Sequence, residues 1–302
     1  MYKIGKNAGK KWMAAVTAAF VTVAAATGCG KTDKAGAEER KETNSITVAA
    51  SSDTGSMDPA GSIALTYLTY SVSALDELLT FDADGEIDYR AAESYEVNED
   101  STVWTFHLRE EAVWSDGTPV TSADFLNTMT RALDPKSGSG YANYLFPIRN
   151  AEAIYNGEME IGELGVETPD DDTLIFYLEK PCVYFLDLLR LPVYTPSCST
   201  YAKETGSGWD TDPKTSVSNG PFYLAEYVPE QYMTLKKNES YWNADEVSLD
   251  EITYRFFDSQ EAMLYAYESG EADAATGLPS TVMSLKRTSE SRDGASRIYD
   301  HE

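Results

Sequence analysis

Side chains able to make or break bonds are few in this sequence and widely scattered. Its 302 residues hold two histidines, His107 and His301, and three cysteines, Cys29, Cys182 and Cys198. No His/Cys group has the spacing of a zinc site, and no phosphate-cradling or dinucleotide glycine pattern occurs. Ser115-Asp116-Gly117 sets a hydroxyl beside a carboxylate but lacks the sequence of a nucleophile elbow. Asp170-Asp171-Asp172 reads as a solvated turn rather than a general acid and base. Asp82-Ala83-Asp84-Gly85-Glu86 has the carboxylate density of a calcium loop without its spaced ligand order. His107 falls on the polar face of a strand and reads as structural. No cofactor or metal is expected. An extracellular hydrolase finds no catalytic constellation here, so the chain is not expected to be an enzyme.

Charge narrows the field further. The formal net charge is -26. Residues 1–28 contribute only Lys3, Lys6, Lys10 and Lys11, which leaves 20 basic against 50 acidic residues in the remainder. A surface carrying about -30 repels nucleic acid and anionic lipid, so no nucleic-acid partner is expected. The 20 tyrosines suit a cleft that handles varied, partly polar ligands.

The N-terminus reads as an export signal over residues 1–28. The four lysines form its basic region, and Trp12 to Thr27 is an Ala-rich apolar run, too short for a good membrane span. Ala26-Thr27-Gly28-Cys29 resembles the lipobox of bacterial lipoproteins, although that motif usually has a larger aliphatic residue where Ala26 stands. The resemblance implies lipidation of Cys29; ordinary cleavage with Cys29 incidental is the other reading. A polar tether over residues 29–45 would hold the folded part off a membrane. With Cys29 lipidated, Cys182 and Cys198 remain. In an exported chain they form either a disulfide, worth about 3 kcal/mol for a loop of this length, or two buried thiols.

Val103 to Phe125 sets the frame. Trp104, Phe106 and Leu108 alternate with Thr105, His107 and Arg109, the period of a half-buried strand. Ser115 to Pro119 is a turn cluster. Thr121 and Asp124 form a capping box that opens a helix running to Leu133, ended by Asp134-Pro135. A second helix is expected over Leu65 to Leu79, and a third from Asp258, capped with Glu261, to Gly270. Alternation predicts a strand over Thr173 to Glu179 and a short apolar helix over Tyr184 to Leu189. Strands at 46–50, 222–227 and 252–257 are distant in sequence but can share one sheet, with 82–205 inserted as a subdomain. The chain is thus mixed α/β without a regular βαβ repeat. Residues from about 286 turn polar and read as a poorly ordered tail.

These residues resemble one family. Val103 to Phe125 is similar to the signature of the family 5 (peptide/nickel-type) extracellular solute-binding proteins, particularly the oligopeptide binders of ABC importers. In the same order stand Met57-Asp58-Pro59, Asp134-Pro135, Tyr141-Ala142-Asn143-Tyr144-Leu145, Ser218-Asn219-Gly220-Pro221-Phe222, Lys237-Asn238, Tyr241-Trp242 and Gly270-Glu271-Ala272-Asp273, together covering about residues 46–280. The resemblance implies the larger three-subdomain variety of the type II periplasmic-binding-protein-like fold, in which two lobes close around the ligand. Lobe I would occupy 46–278, and 279–302 would be the start of lobe II or a disordered tail. Since family members continue well beyond this point, lobe II would be largely missing, and binding by these 302 residues alone is expected to be weak or absent.

The resemblance also implies a function and a site. The expected ligand is an oligopeptide, held mainly through its backbone. The expected partners are an ABC permease and ATPase, with a lipid anchor to the membrane and a monomeric state. The expected location is the outer face of the cytoplasmic membrane, or the periplasm of a Gram-negative host. Ile63, Ala64 and Leu65 fall where oligopeptide binders contact extended peptide. Tyr141 falls on a cleft tyrosine, and Thr276-Gly277 begins the crossing to the second lobe. Leu191 sits where some relatives carry a polar contact. Other solutes on the same fold (nickel chelate, heme, sugar) and peptide sensing without transport remain open.

Overall fold

The computed structural model describes residues 44–51, 53, 55–61, 70, 73–203 and 208–277. The signal, Cys29 and the tether up to residue 43 lie outside these, as do Ile63, Ala64, Leu65 and the tail from 278.

Strands β1 (Ser45–Ala50), β2 (Leu79–Phe81), β3 (Ile87–Tyr89), β4 (Ala92–Val97) and β5 (Val103–Leu108) come first. They are followed by α1 (Ser122–Leu133), α2 (Ala151–Tyr155), β6 (Val166–Glu167), β7 (Thr173–Tyr177) and α3 (Phe185–Leu188). The chain then runs through β8 (Phe222–Val228), β9 (Tyr232–Lys237), β10 (Glu251–Phe256), α4 (Gln260–Glu268) and β11 (Ala274–Ala275).

The first sheet has the order β11-β1-β10-β9-β8. β1 runs parallel to β10 and β11, while β10-β9 and β9-β8 are antiparallel. The three segments remote in sequence therefore share one sheet. The last three residues of β1, Val48 to Ala50, are apolar on both faces because both are covered there. Val48 and Ala50 join Met57, Tyr70, Leu224, Met233, Leu235 and Tyr254 in one core. Ala49 meets Met263, Ala266 and Ala272 on the other face.

The second sheet, β4-β5-β7-β6, is antiparallel throughout. Its alternation is the one the sequence shows: Trp104, Phe106 and Leu108 are buried, as are Leu174 and Phe176. Edge-on aromatic packing continues into α3, with Phe106–Phe176 at 5.8 Å and Phe176–Phe185 at 5.2 Å between centroids. Phe125, Met129, Ala132 and Leu133 of α1 fill the same core. The reciprocal capping box of Thr121 and Asp124 is present.

Two helix expectations need correction. The helix over Leu65 to Leu79 does not reach Leu79. Tyr70, Ser73 and Ala74 are helical, but Leu75 to Glu77 are not, and Leu79 opens β2. Ala74 O accepts from Gly220 N, Glu77 O from Ala91 N, and Leu78 O from Arg90 N and Ala92 N. These carbonyls serve other segments instead of a helical turn. The cap of α4 is Ser259, not Asp258; its hydroxyl accepts from Ala262 N at 3.1 Å.

Candidate functional site

The motif residues gather where the chain passes between the two larger sheets. Met57-Asp58-Pro59 follows β1 and is fixed from two sides. Asp58 accepts two hydrogen bonds from the Arg131 guanidinium of α1, at 2.5 and 2.9 Å. Arg131 also donates to Ser197 Oγ at 2.8 Å, which in turn lies 2.7 Å from Thr128 Oγ1. From the other side, Asp210 Oδ2 accepts from Ser56 Oγ and from the amides of Met57 and Asp58, at 2.6, 2.6 and 2.9 Å. The backbone just before residues 62–69 is thus held by a buried charged network rather than by secondary structure.

Just after that segment, residues 74–76 are clamped to the Ser218-Asn219-Gly220 turn. Ser218 Oγ donates to Ala74 O, and the Asn219 side chain brackets the backbone of Asp76 at 3.0 and 3.1 Å. Gly220 is required here by space: a Cβ would stand 2.8 Å from Ala74 C and 2.9 Å from Ala74 O. Asn238 secures the turn from behind, donating to Gly220 O at 2.9 Å.

The residues expected to meet ligand fall into separate places. Tyr141 is half-buried on the second sheet's core, its ring 5.8 Å from that of Tyr144, which is exposed. Thr276 extends the β11 side of the first sheet, its amide donating to Ala49 O at 2.9 Å. Gly277, exposed and at φ +70°, accepts from Gln260 Nε2 at 3.2 Å. Thr276-Gly277 therefore lies off the carboxyl end of parallel strand β1, where open α/β sheets bind ligands. Among the described residues, no hydrogen bond or ring contact joins Tyr141 to Thr276 or Gly277. Leu191 packs, half-buried, against the core of the second sheet. Cys182 and Cys198 are free, buried thiols, and burial pushes the Cys198 thiol up, away from reactivity.

Asp82 is occupied as a hairpin turn, its carboxylate accepting from the amides of Asp84 and Glu86 at 2.9 Å each. Among the described residues, no group of three His, Cys, Asp or Glu side chains could hold a metal ion.

Sequence reasoning missed the Arg131–Asp58 pair, Asp210 and an adjacent acidic pair, buried Asp76 and half-buried Glu77. Burial pushes the Asp76 carboxyl up to about 6 against the pull of Trp242, Arg90, Tyr241 and Arg109. Burial and the neighbouring Asp76 push Glu77 up to about 7. Asp76 lies within a segment whose leucines suggest helix, and that pattern hides it.

The family model "Bacterial extracellular solute-binding proteins, family 5 Middle" matches residues 86–299. The periplasmic oligopeptide-binding protein OppA of Escherichia coli is 36% identical over 224 residues, 74% of this chain and 41% of that protein. The probable deoxycholate-binding periplasmic protein YgiS of the same species is 33% identical over 74% of this chain and 42% of its own length. The solved structure of Haemophilus influenzae OppA in complex with RPPGFSPFR superposes with a TM-score of 0.75 at 30% identity, over 82% of this chain and 49% of that one. The fold is that of the type II periplasmic binding proteins. The chain belongs to the family 5 bacterial extracellular solute-binding proteins, and it spans less than half the length of these relatives.

Proposed function

We propose that the protein captures oligopeptides outside the cytoplasmic membrane and hands them to an ABC permease driven by its ATPase. The observation that carries this reading is the 36% identity to the E. coli oligopeptide-binding protein across 74% of the chain. In this reading Ile63, Ala64 and Leu65 contact extended peptide, Tyr141 faces the cleft, and Thr276-Gly277 leads into the second lobe. The Asp58–Arg131–Asp210 network supports it by anchoring the start of the contact segment. Lobe I runs over 46–278 with 82–205 inserted. Cys29 carries the lipid that ties a monomer to the membrane, consistent with the basic and apolar run before it and the polar run after it. Growth on oligopeptides as the sole amino-acid source tests the transport role. Deleting the gene abolishes it while growth on free amino acids persists; unchanged growth in a strain without other peptide importers refutes it.

A second reading, capture of an amphipathic non-peptide solute, is favoured by the 33% identity to the probable deoxycholate binder. Competition between a labelled oligopeptide and deoxycholate on the protein isolated from its own cells separates the two.

A further inference from the structure

The chain leaves the first sheet through Ala74–Leu78 and returns to it through Ser218–Phe222, and these two crossings lie against each other. Gly220 N donates to Ala74 O at 3.0 Å, and the Asn219 amide holds both backbone groups of Asp76. Ser115 N donates to Ser218 O at 2.7 Å, which ties the turn before α1 into the same seam.

Asp76 is sealed inside this seam at 5% exposure. Its Oδ2 accepts from Tyr241 Oη at 3.1 Å and Trp242 Nε1 at 3.0 Å, both from the connection between β9 and β10. Glu77 follows it, half-buried. Three guanidinium groups pull on the carboxyls through space without touching them: Arg90 of the β3–β4 connection on both, Arg109 after β5 on Asp76, and Arg190 after α3 on Glu77. Each of these is engaged elsewhere. Arg90 pairs with Asp88 at 2.8 Å. Arg109 stacks 3.7 Å above the Trp242 ring and donates to Arg90 O. Arg190 lies 5.9 Å over Phe81. Asp76 thus sits at the closure of the two crossings with two hydrogen-bond donors, Glu77 stands beside it, and among the described residues neither carboxyl has an ion-pair partner. Ionising both there sets like charges side by side, with Asp76 fully and Glu77 partly withdrawn from water.

We propose that this seam is a proton-sensitive latch: with Asp76 and Glu77 protonated the two crossings are held together, and release of those protons to solvent loosens them, freeing the two sheets to shift about the seam. The raised titration of both groups puts the change between mildly acidic and neutral pH. Neutral Asp76 still accepts from Tyr241 and Trp242, so the latch loses no hydrogen bond when it closes. This inference is independent of which solute the protein binds.

Amide hydrogen exchange on the full chain at pH 5 to 8, corrected for intrinsic rates, tests it. The reporting amides are Asp76, Arg90, Ala91 and Gly220, with Phe106 and Leu174 as references inside the second sheet. Protection at the reporting amides falls by about tenfold per titrating carboxyl as pH rises, while the references hold. In the Asp76→Asn/Glu77→Gln variant, protection at pH 8 stays at its pH 5 level. A flat profile in the unaltered protein overturns the proposal whatever the variant does, and so does a variant that keeps the full pH dependence.

Discussion

Arg131 grips Asp58 through both of its terminal nitrogens, with the two side chains only 7% and 1% exposed. The pair joins the backbone after β1 to α1 of the other sheet's core, across 73 residues of sequence. Removing one member strands the other charge in the interior, which costs about 3–5 kcal/mol. Arg131→Met is therefore expected to lower the urea midpoint strongly. Asp58→Asn, which keeps shape and one acceptor, is expected to fall in the same direction by a smaller amount. A variant of either kind with an unchanged midpoint contradicts the role given to the pair.

Gly220 is a packing constraint of a different kind. Its missing Cβ is what lets Ala74 approach, and an alanine there would lie under 3 Å from two backbone atoms. Backbone yields less readily than a side-chain tip, so Gly220→Ala is expected to cost about 1–3 kcal/mol. Thermal unfolding measures this: a drop of several degrees is expected. Gly117→Ala, with open space around it but φ +84°, separates strain from crowding.

Asp76 gives the pH dependence a definite sign. Its folded titration near 6 lies above the ordinary 3.8, so the folded state holds the proton more tightly than the unfolded chain. Its contribution to stability is then fully present below about pH 4 and is lost as pH rises through about 6. Asp76→Asn removes that titration. Relative to the unaltered protein, the variant is expected to gain stability between pH 4 and pH 8, on the order of 3 kcal/mol. Urea unfolding of both proteins at the two pH values gives the difference directly, and a difference that does not change with pH contradicts the assignment.

The cysteines test the core. Cys182 and Cys198 are both buried and unbridged. Without reductant, neither is expected to react with iodoacetamide in the native protein within minutes, and both are expected to react after denaturation. Peptide mapping that finds these two residues linked contradicts the free-thiol state. For the third cysteine, Cys29→Ser is expected to release the protein into the medium, and retention at the membrane excludes the lipid anchor.

Local signals made much of the fold legible. Alternation at Trp104, Phe106 and Leu108 and the Thr121–Asp124 box depend on neighbours a few residues away, and both appear as read. The end of the helix expected to reach Leu79 is not legible, because the carbonyls of Ala74, Glu77 and Leu78 are claimed by Gly220 and by Arg90 to Ala92. Asp76 was hidden for the same reason: its donors, Tyr241 and Trp242, stand 165 and 166 residues further along. The motif residues Met57-Asp58-Pro59 were visible, but Asp210 and Arg131, which give them their position, carry no local pattern.

The most direct test of peptide capture is what the protein carries when it is isolated without denaturation, at the length its own cells make it. Acid release followed by mass spectrometry of the small molecules is expected to yield a ladder of short peptides of varied sequence. Release of a single non-peptide solute, with no peptides, would contradict the account.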